Sequence, residues 1–173
     1  SIRRRLDSLS MGKLTISVMD LQRNWEDAVY THILISTDGS ALAQRGVDHG
    51  LSLAKALGSK VTIITVTEPL PVLATGDGAW ARDLKGYEAD QTKCAEGVLS
   101  AVKASAAKMQ LEVNTAHVSN SYPASAIVET AQKLGCNLIV MASHGRRGIK
   151  KVLLGSQTSD VLVTATVPVL VIH

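Results

Sequence analysis

The sequence contains no phenylalanine, and aromatic side chains make up only 3% of its 173 residues. The hydrophobic residues, 46% of the chain, must therefore form an aliphatic core of Val, Ile, Leu and Ala. Few aromatics and a formal net charge of only +3 disfavour nucleic acid as a partner, because such surfaces are usually strongly basic or rich in stacking rings. The basic stretch RRGIKK at residues 146–151 carries no groove-reading motif.

Cysteine is scarce as well, with Cys94 and Cys136 as the only two. They lie far apart and show no metal-binding spacing, so we expect small packing residues rather than a disulfide framework. This pattern suits a reducing, cytoplasmic location. No apolar run approaches the roughly 20 residues that a membrane-spanning helix needs, so no membrane partner is expected.

The first 29 residues differ in pattern from the rest of the chain. They open with three arginines, Arg3 to Arg5, and contain an alternating segment, LTISV, at residues 14–18. Two interpretations of this N-terminal extension stay open: a mobile tail, or an arm that pairs with a sheet edge or a partner subunit. Residues 30–173 are predicted to form one domain.

Apolar runs alternate with helical patterns throughout this domain. Strands are predicted at residues 32–36, 61–66, 111–118, 137–143 and 167–173. Helices are predicted at residues 41–57, 80–109, 124–134 and 156–164. Because the central strands are apolar on both faces, the sequence predicts a five-stranded parallel sheet with helices on both faces, a Rossmann-like three-layer α/β sandwich.

Parallel sheets of this kind bind ligands at the carboxyl ends of their strands, where the strand order reverses. One such end carries SHGRRGIKKVLLGS, residues 143–156. Glycine after a strand lets the backbone turn and expose N–H groups. Gly155 and Ser156 then open a helix, with Ser156 as the expected N-cap, and a helix N-terminus attracts anions. The stretch predicts a phosphate site, although a solvated basic loop is the alternative.

The same stretch, with the preceding NLIVMAS, resembles the signature of universal stress proteins. Nucleotide-binding members carry Gly, two residues, Gly, nine residues, then Gly-Ser or Gly-Thr. Gly145, Gly155 and Ser156 match this spacing, whereas Ala142 stands at the first glycine position. HILISTDGS, VTIITVTEP and the terminal PVLVIH also fit, so the resemblance covers residues 30–173.

The resemblance implies an ATP-binding, usually dimeric α/β fold of the adenine nucleotide alpha hydrolase-like type, often with Mg²⁺ or Mn²⁺. It places Thr37 and Asp38 near adenine and ribose, Val66 at adenine through its backbone, Met141 and Ala142 at the ribose, and Gly145, Arg146, Gly155, Ser156, Gln157 and Thr158 at the phosphates. A helix-capping role for Asp38 is the alternative. If position 142 needs a positive φ, Ala142 would distort the loop; with a negative φ it is tolerated.

Three functions remain open. The first is an ATP-binding stress or signalling module with at most slow hydrolysis, since no GxSxG motif or other catalytic constellation is present. The second is an ATP-using transferase or pyrophosphatase of similar fold. The third is a nucleotide-free dimer that binds a protein partner. For the dimer, we expect the C-terminal strand to be an open sheet edge that pairs with a second copy.

Overall fold

The computed structural model describes residues 30–69, 80–144 and 154–173, with the backbone alone at 80–85. The N-terminal extension, residues 1–29, lies outside this description. None of the helices in the described ranges is long and apolar enough to cross a membrane.

Five strands in the described ranges form one parallel sheet in the order β3-β2-β1-β4-β5, which confirms the predicted fold class. The strands are β1 (His32–Ser36), β2 (Lys60–Val66), β3 (Asn114–Val118), β4 (Leu138–Ala142) and β5 (Val169–Ile172). The helices in the described ranges are α1 (Ala41–Leu57), α2 (Trp80–Lys108), α3 (Pro123–Leu134) and α4 (Ser156–Thr164).

Two aliphatic cores lie on opposite faces of the sheet. The core under α1 and α2 includes Ile33, Ile35 and Val140, and the core under α3 and α4 includes Leu34 and Ile139. Neighbouring residues of β1 and β4 thus point to opposite faces, as strand geometry requires. Both central strands are apolar on both sides because helices cover both sides.

Two predictions of local structure were wrong in detail. β3 begins at Asn114 rather than at residue 111, because Leu111 and Val113 are apolar for packing against the core and not for strand pairing. The buried face of α2 runs through Ala95, Leu99, Val102 and Ala106. Helical spacing in the sequence favours a face that includes Val98 and Val102; Val102 is buried, whereas Val98 is only half-buried.

The two cysteines have different surroundings. Cys136 is buried in the core under α3 and α4, as predicted for a packing residue. Burial raises the pKa of its thiol to about 11. Cys94 is exposed on α2, so the packing role predicted for it was wrong.

Helix α1 lies unusually close to the two central strands because glycines face them. A Cβ added to Gly50 would lie 2.6 Å from Cδ1 of the fully buried Ile35. A Cβ added to Gly46 would lie 3.3 Å from the backbone N of Ala142, the last residue of β4. Both distances are shorter than ordinary van der Waals contact, so larger side chains would push α1 away from β1 and β4.

We therefore expect Gly50→Ala to lower the free energy of unfolding, despite the better helix propensity of alanine. Overpacking a core typically costs about 1–3 kcal/mol, against a gain of up to about 1 kcal/mol from propensity. Gly97→Ala is the matched control, because a Cβ at Gly97 in α2 meets nothing within 4 Å. Urea denaturation should show destabilisation for the first variant and stabilisation for the second. Two stabilised variants would contradict the close contact.

Candidate functional site

The strand order reverses between β1 and β4, the two neighbours at the centre of the sheet. Their register pairs Ile35 with Val140, so the residues that follow the two strands leave the sheet side by side. This reversal is where parallel sheets of this type bind ligands.

After β1 the chain is held by β2. Thr37 is buried, and its N–H donates to the carbonyl of Ile64 at 2.9 Å. The hydroxyl of Thr65 donates to the carbonyl of Thr37 at 2.7 Å. The position of Thr37 and its carbonyl oxygen are therefore fixed by β2.

Asp38 follows Thr37 and is half-buried. One of its carboxylate oxygens, Oδ1, accepts from the N–H of Ser40 at 2.9 Å, while Gly39 adopts a φ of 77° between them. The N-cap of α1 is Ser40, whose hydroxyl accepts from the N–H of Ala43 at 3.1 Å. Asp38 thus shapes the turn before α1 and is not the helix cap.

Val66 ends β2, two residues beyond the carbonyl of Ile64 that accepts from Thr37. After Val66 the backbone turns to β3. The N–H of Thr67 donates to Val118 at 3.0 Å, and its carbonyl accepts from the N–H of Ser121 at 3.2 Å. Val66 therefore lies at the edge where β1 has already left the sheet and β2 still continues.

The end of β4 supports α4. The carbonyl of Ser143 accepts from the N–H of Gly155 at 2.9 Å and from the hydroxyl of Thr158 at 3.1 Å. The same hydroxyl lies 3.1 Å from the carbonyl of Ala142. Thr158 is buried, so these contacts replace hydrogen bonds to water and fix the start of α4 on β4.

The N-cap of α4 is Gly155, and Ser156 is its first helical residue, so the N-cap role predicted for Ser156 was wrong. Gly155 has a φ of −61°, so it is not needed for a left-handed turn. A Cβ there would lie 3.0 Å from the carbonyl oxygen of Ser143, which explains the glycine by close approach. The N–H groups of residues 156–158 belong to the open first turn of the helix, which has no internal acceptors for them.

Ala142 adopts a negative φ. In the described ranges a positive φ outside glycine occurs only at Gln110 and Asn120, and Ala142 is an ordinary strand residue paired with Ile172. An alanine therefore causes no backbone strain at this position.

Gln157 makes a contact that the sequence did not indicate. Its side-chain oxygen Oε1 accepts from the backbone N–H of Ala124, in the first turn of α3, at 3.0 Å. The two residues are 33 positions apart, and no short-range motif signals such a contact.

The structure brings most of the residues singled out in the sequence to one edge of the sheet. They follow three adjacent strands in the order β2, β1, β4 and continue into the start of α4. The members in the described ranges are Thr37, Asp38, Val66, Met141, Ala142, Gly155, Ser156, Gln157 and Thr158. Gly145 and Arg146 lie outside the described residues.

A doubly wound α/β fold and this edge define the general class of protein, and comparison with known proteins gives the family. The sequence profile described as "Universal stress protein family" matches residues 30–173. A universal stress protein of Methanocaldococcus jannaschii is 32% identical over 153 residues, which cover 87% of this chain and 85% of the relative. The chain belongs to the universal stress protein family.

Two solved structures share the fold. A universal stress protein in complex with cAMP is 24% identical, with a TM-score of 0.61 over 84% of this chain and 98% of that chain. The universal stress protein from Archaeoglobus fulgidus in complex with dAMP is 20% identical, with a TM-score of 0.62 over 84% of this chain and 99% of that chain.

The attachment of α4 to β4 can be tested with Thr158→Val, which removes the hydroxyl and keeps the shape. We expect it to lower the free energy of unfolding by about 1–2 kcal/mol, because the buried carbonyl of Ala142 loses its Thr158 donor and that of Ser143 keeps only the N–H of Gly155. The control is Thr164→Val in the same helix, where the exposed hydroxyl donates to Asp160 and a change within about 0.5 kcal/mol is expected. Equal changes in the free energy of unfolding for the two variants would show that the Thr158 hydroxyl contributes no more to stability than an exposed one.

Proposed function

We propose that this protein binds an adenine nucleotide, ATP, at the carboxyl edge of β1, β2 and β4, as a stress or signalling module without efficient catalysis. The proposal rests on one observation: the backbone carbonyls at this edge already have hydrogen-bond donors from within the protein. The carbonyls of Thr37, Ala142 and Ser143 all accept from threonine hydroxyls. Donors at the start of α4 are left for a ligand, and such donors favour an anion.

The base and ribose would lie on the β1 and β2 side. Val66, beyond the last β1–β2 hydrogen bond of the described ranges, would contact adenine through its backbone, next to Thr37. Asp38 would accept from ribose hydroxyls, with Met141 and Ala142 bordering the sugar. The solved relatives in complex with cAMP and dAMP support an adenine nucleotide as the ligand class.

The phosphates would lie at the first turn of α4, between Gly155 and Thr158, with Gly145 and Arg146 completing the site. The described residues contain no group of three or more His, Cys, Asp or Glu side chains that could hold a metal. An Mg²⁺ or Mn²⁺ ion would therefore be held chiefly by phosphate oxygens, the usual arrangement for nucleotide-bound magnesium, with the Ser156 hydroxyl as a protein oxygen beside them.

The first experiment is to denature the purified protein, identify any released nucleotide, and titrate ATP with Mg²⁺ by calorimetry. We expect retained or saturable ATP, and an unchanged affinity in Ala142→Gly, because Ala142 has no strain to relieve. That variant should instead lose about 0.5–1 kcal/mol of stability, the usual cost of glycine inside a strand.

The two expectations, ATP binding and an unchanged affinity in Ala142→Gly, would be contradicted by two different outcomes. Absence of binding at millimolar ATP would overturn the proposed function and favour a nucleotide-free partner protein. An affinity at least tenfold higher in Ala142→Gly, about 1.4 kcal/mol in binding free energy, would show that the alanine side chain obstructs the ligand.

We also propose that the protein is a homodimer paired through β5. β5 is an edge strand, and the carbonyls of Pro168 and Ile172 accept from β4 and the residue after it. By strand alternation, the backbone groups of Val169 and Val171 face the open side, where a second copy can pair with them. Leu170 on this strand is 37% exposed.

Leu170→Lys should shift the protein to the monomer mass, because lysine on an edge strand opposes pairing. Leu57→Lys is the matched control, since Leu57 is 40% exposed and ends α1. Light scattering coupled to size exclusion would measure both. A monomeric wild type, or a dimer that survives Leu170→Lys, would contradict pairing through β5.

A further inference from the structure

The side chain of Gln157 joins the first turn of α4, the phosphate end of the proposed nucleotide site, to the first turn of α3. We propose that Gln157 is a positioning residue whose side chain holds α3 and α4 together and does not itself contact phosphate. This inference rests on the proposed function, because the site it positions is the nucleotide site. It revises the role that the family resemblance implies for this residue.

Helix α3 needs an external partner at its start. Its N-cap is Tyr122, which makes no side-chain capping bond, and its first residue is Pro123, which has no N–H. The first internal hydrogen bond joins the N–H of Ala126 to the carbonyl of Tyr122. The N–H of Ala124 therefore has no acceptor within the helix, and Gln157 provides one at 3.0 Å.

Helix α4 is held on two sides at its first turn. Thr158 and Gly155 attach it to the end of β4. Gln157, between them in sequence, attaches it to α3. Because the amide oxygen of Gln157 accepts from Ala124, the side chain is committed to α3. The donors proposed for phosphate in the first turn of α4 are backbone N–H groups, that of Gln157 among them.

A continuous set of contacts then leads from the phosphate end to the base end. Ala124 follows the loop at residues 119–122, and Ser121 of that loop donates its N–H to the carbonyl of Thr67 at 3.2 Å. Thr67 directly follows Val66, the residue proposed to contact adenine. Gln157 therefore sets the placement of the first turn of α4 relative to the end of β2.

The test compares Gln157→Ala with Gln157→Glu in the full-length protein. Glutamate keeps an oxygen acceptor for Ala124, whereas alanine removes it. Adenosine is the decisive ligand because it has no phosphate, so the negative charge that Gln157→Glu introduces cannot repel it. We expect Gln157→Ala to weaken adenosine binding about fivefold, the factor for one hydrogen bond, and Gln157→Glu to bind adenosine like the wild type.

Gln132→Ala is the matched control. Gln132 on α3 is an exposed glutamine whose side-chain amide donates to Thr166 at 3.4 Å, away from the start of α4. It should bind adenosine and ATP like the wild type. An unchanged adenosine affinity in Gln157→Ala together with weakened ATP binding would identify Gln157 as a phosphate ligand and overturn the inference. Lower stability with unchanged affinity for both ligands would overturn it in favour of a purely structural role.

Hydrogen exchange of the ligand-free protein tests the contact independently of nucleotide binding. The amide of Ala124 should exchange about fivefold faster in Gln157→Ala and at the wild-type rate in Gln157→Glu and Gln132→Ala. Equal exchange in all three would overturn the contact itself. If the wild type binds neither ligand, the proposed function fails, and a change in exchange at Ala124 would then show that the contact exists without a nucleotide site to position.

Discussion

Ser143 joins three elements of the structure through its backbone. Its N–H donates to Ile172 of β5 at 2.8 Å, and its carbonyl accepts from Gly155 and Thr158 at the start of α4. The residue is buried, so these groups cannot exchange their partners for water without cost. The end of the edge strand and the phosphate end of the proposed site are therefore both attached to the backbone of one residue. A shift at this position would be felt at both.

At the carboxyl edge of the sheet, backbone carbonyls already accept hydrogen bonds, whereas the N–H groups in the first turn of α4 have no acceptor within the helix. Buried threonines at positions 65 and 158 donate to the carbonyls at the ends of β1 and β4. The first turn of α4 contributes N–H groups, because its cap is a glycine without a side chain. Cations need oxygen ligands, whereas anions need donors. An anion at the start of α4, as proposed, would therefore meet N–H donors, while the neighbouring carbonyls already have threonine partners.

Much of the fold could be predicted because its elements have local signals. β1, α1 and α4 were predicted with the observed bounds, since apolar runs and terminal residues such as Ser40 and Gly58 define them within a few positions. The predicted start of β3 was wrong, and the predicted face of α2 was right at Val102 and not at Val98. Long-range packing decides which apolar residues are paired and which are buried. Leu111 is apolar in either case, and the sequence does not distinguish the two.

The placement of the candidate residues at one edge of the sheet was predictable, and their individual contacts were less so. The alternation of strands and helices indicates the carboxyl edge, and the glycine spacing indicates the start of α4. The identity of the N-cap and the contact from Gln157 to Ala124 depend on how α4 sits on β4 and α3. Such contacts join residues far apart in the chain, for which a single sequence has no periodic signal.

Ala142 shows how the role of a motif position depends on its conformation and its neighbours. Leu138 and Val140 belong to the core under α1 and α2, so alternation along β4 directs the side chain of Ala142 to the same face. Helix α1 approaches there through Gly46, which has no side chain to compete for the space. Gly46 in α1 therefore leaves room for the alanine side chain that stands in β4 where the motif has glycine. In the proposed site, Ala142 would therefore border the sugar through its backbone and not through the extra methyl group.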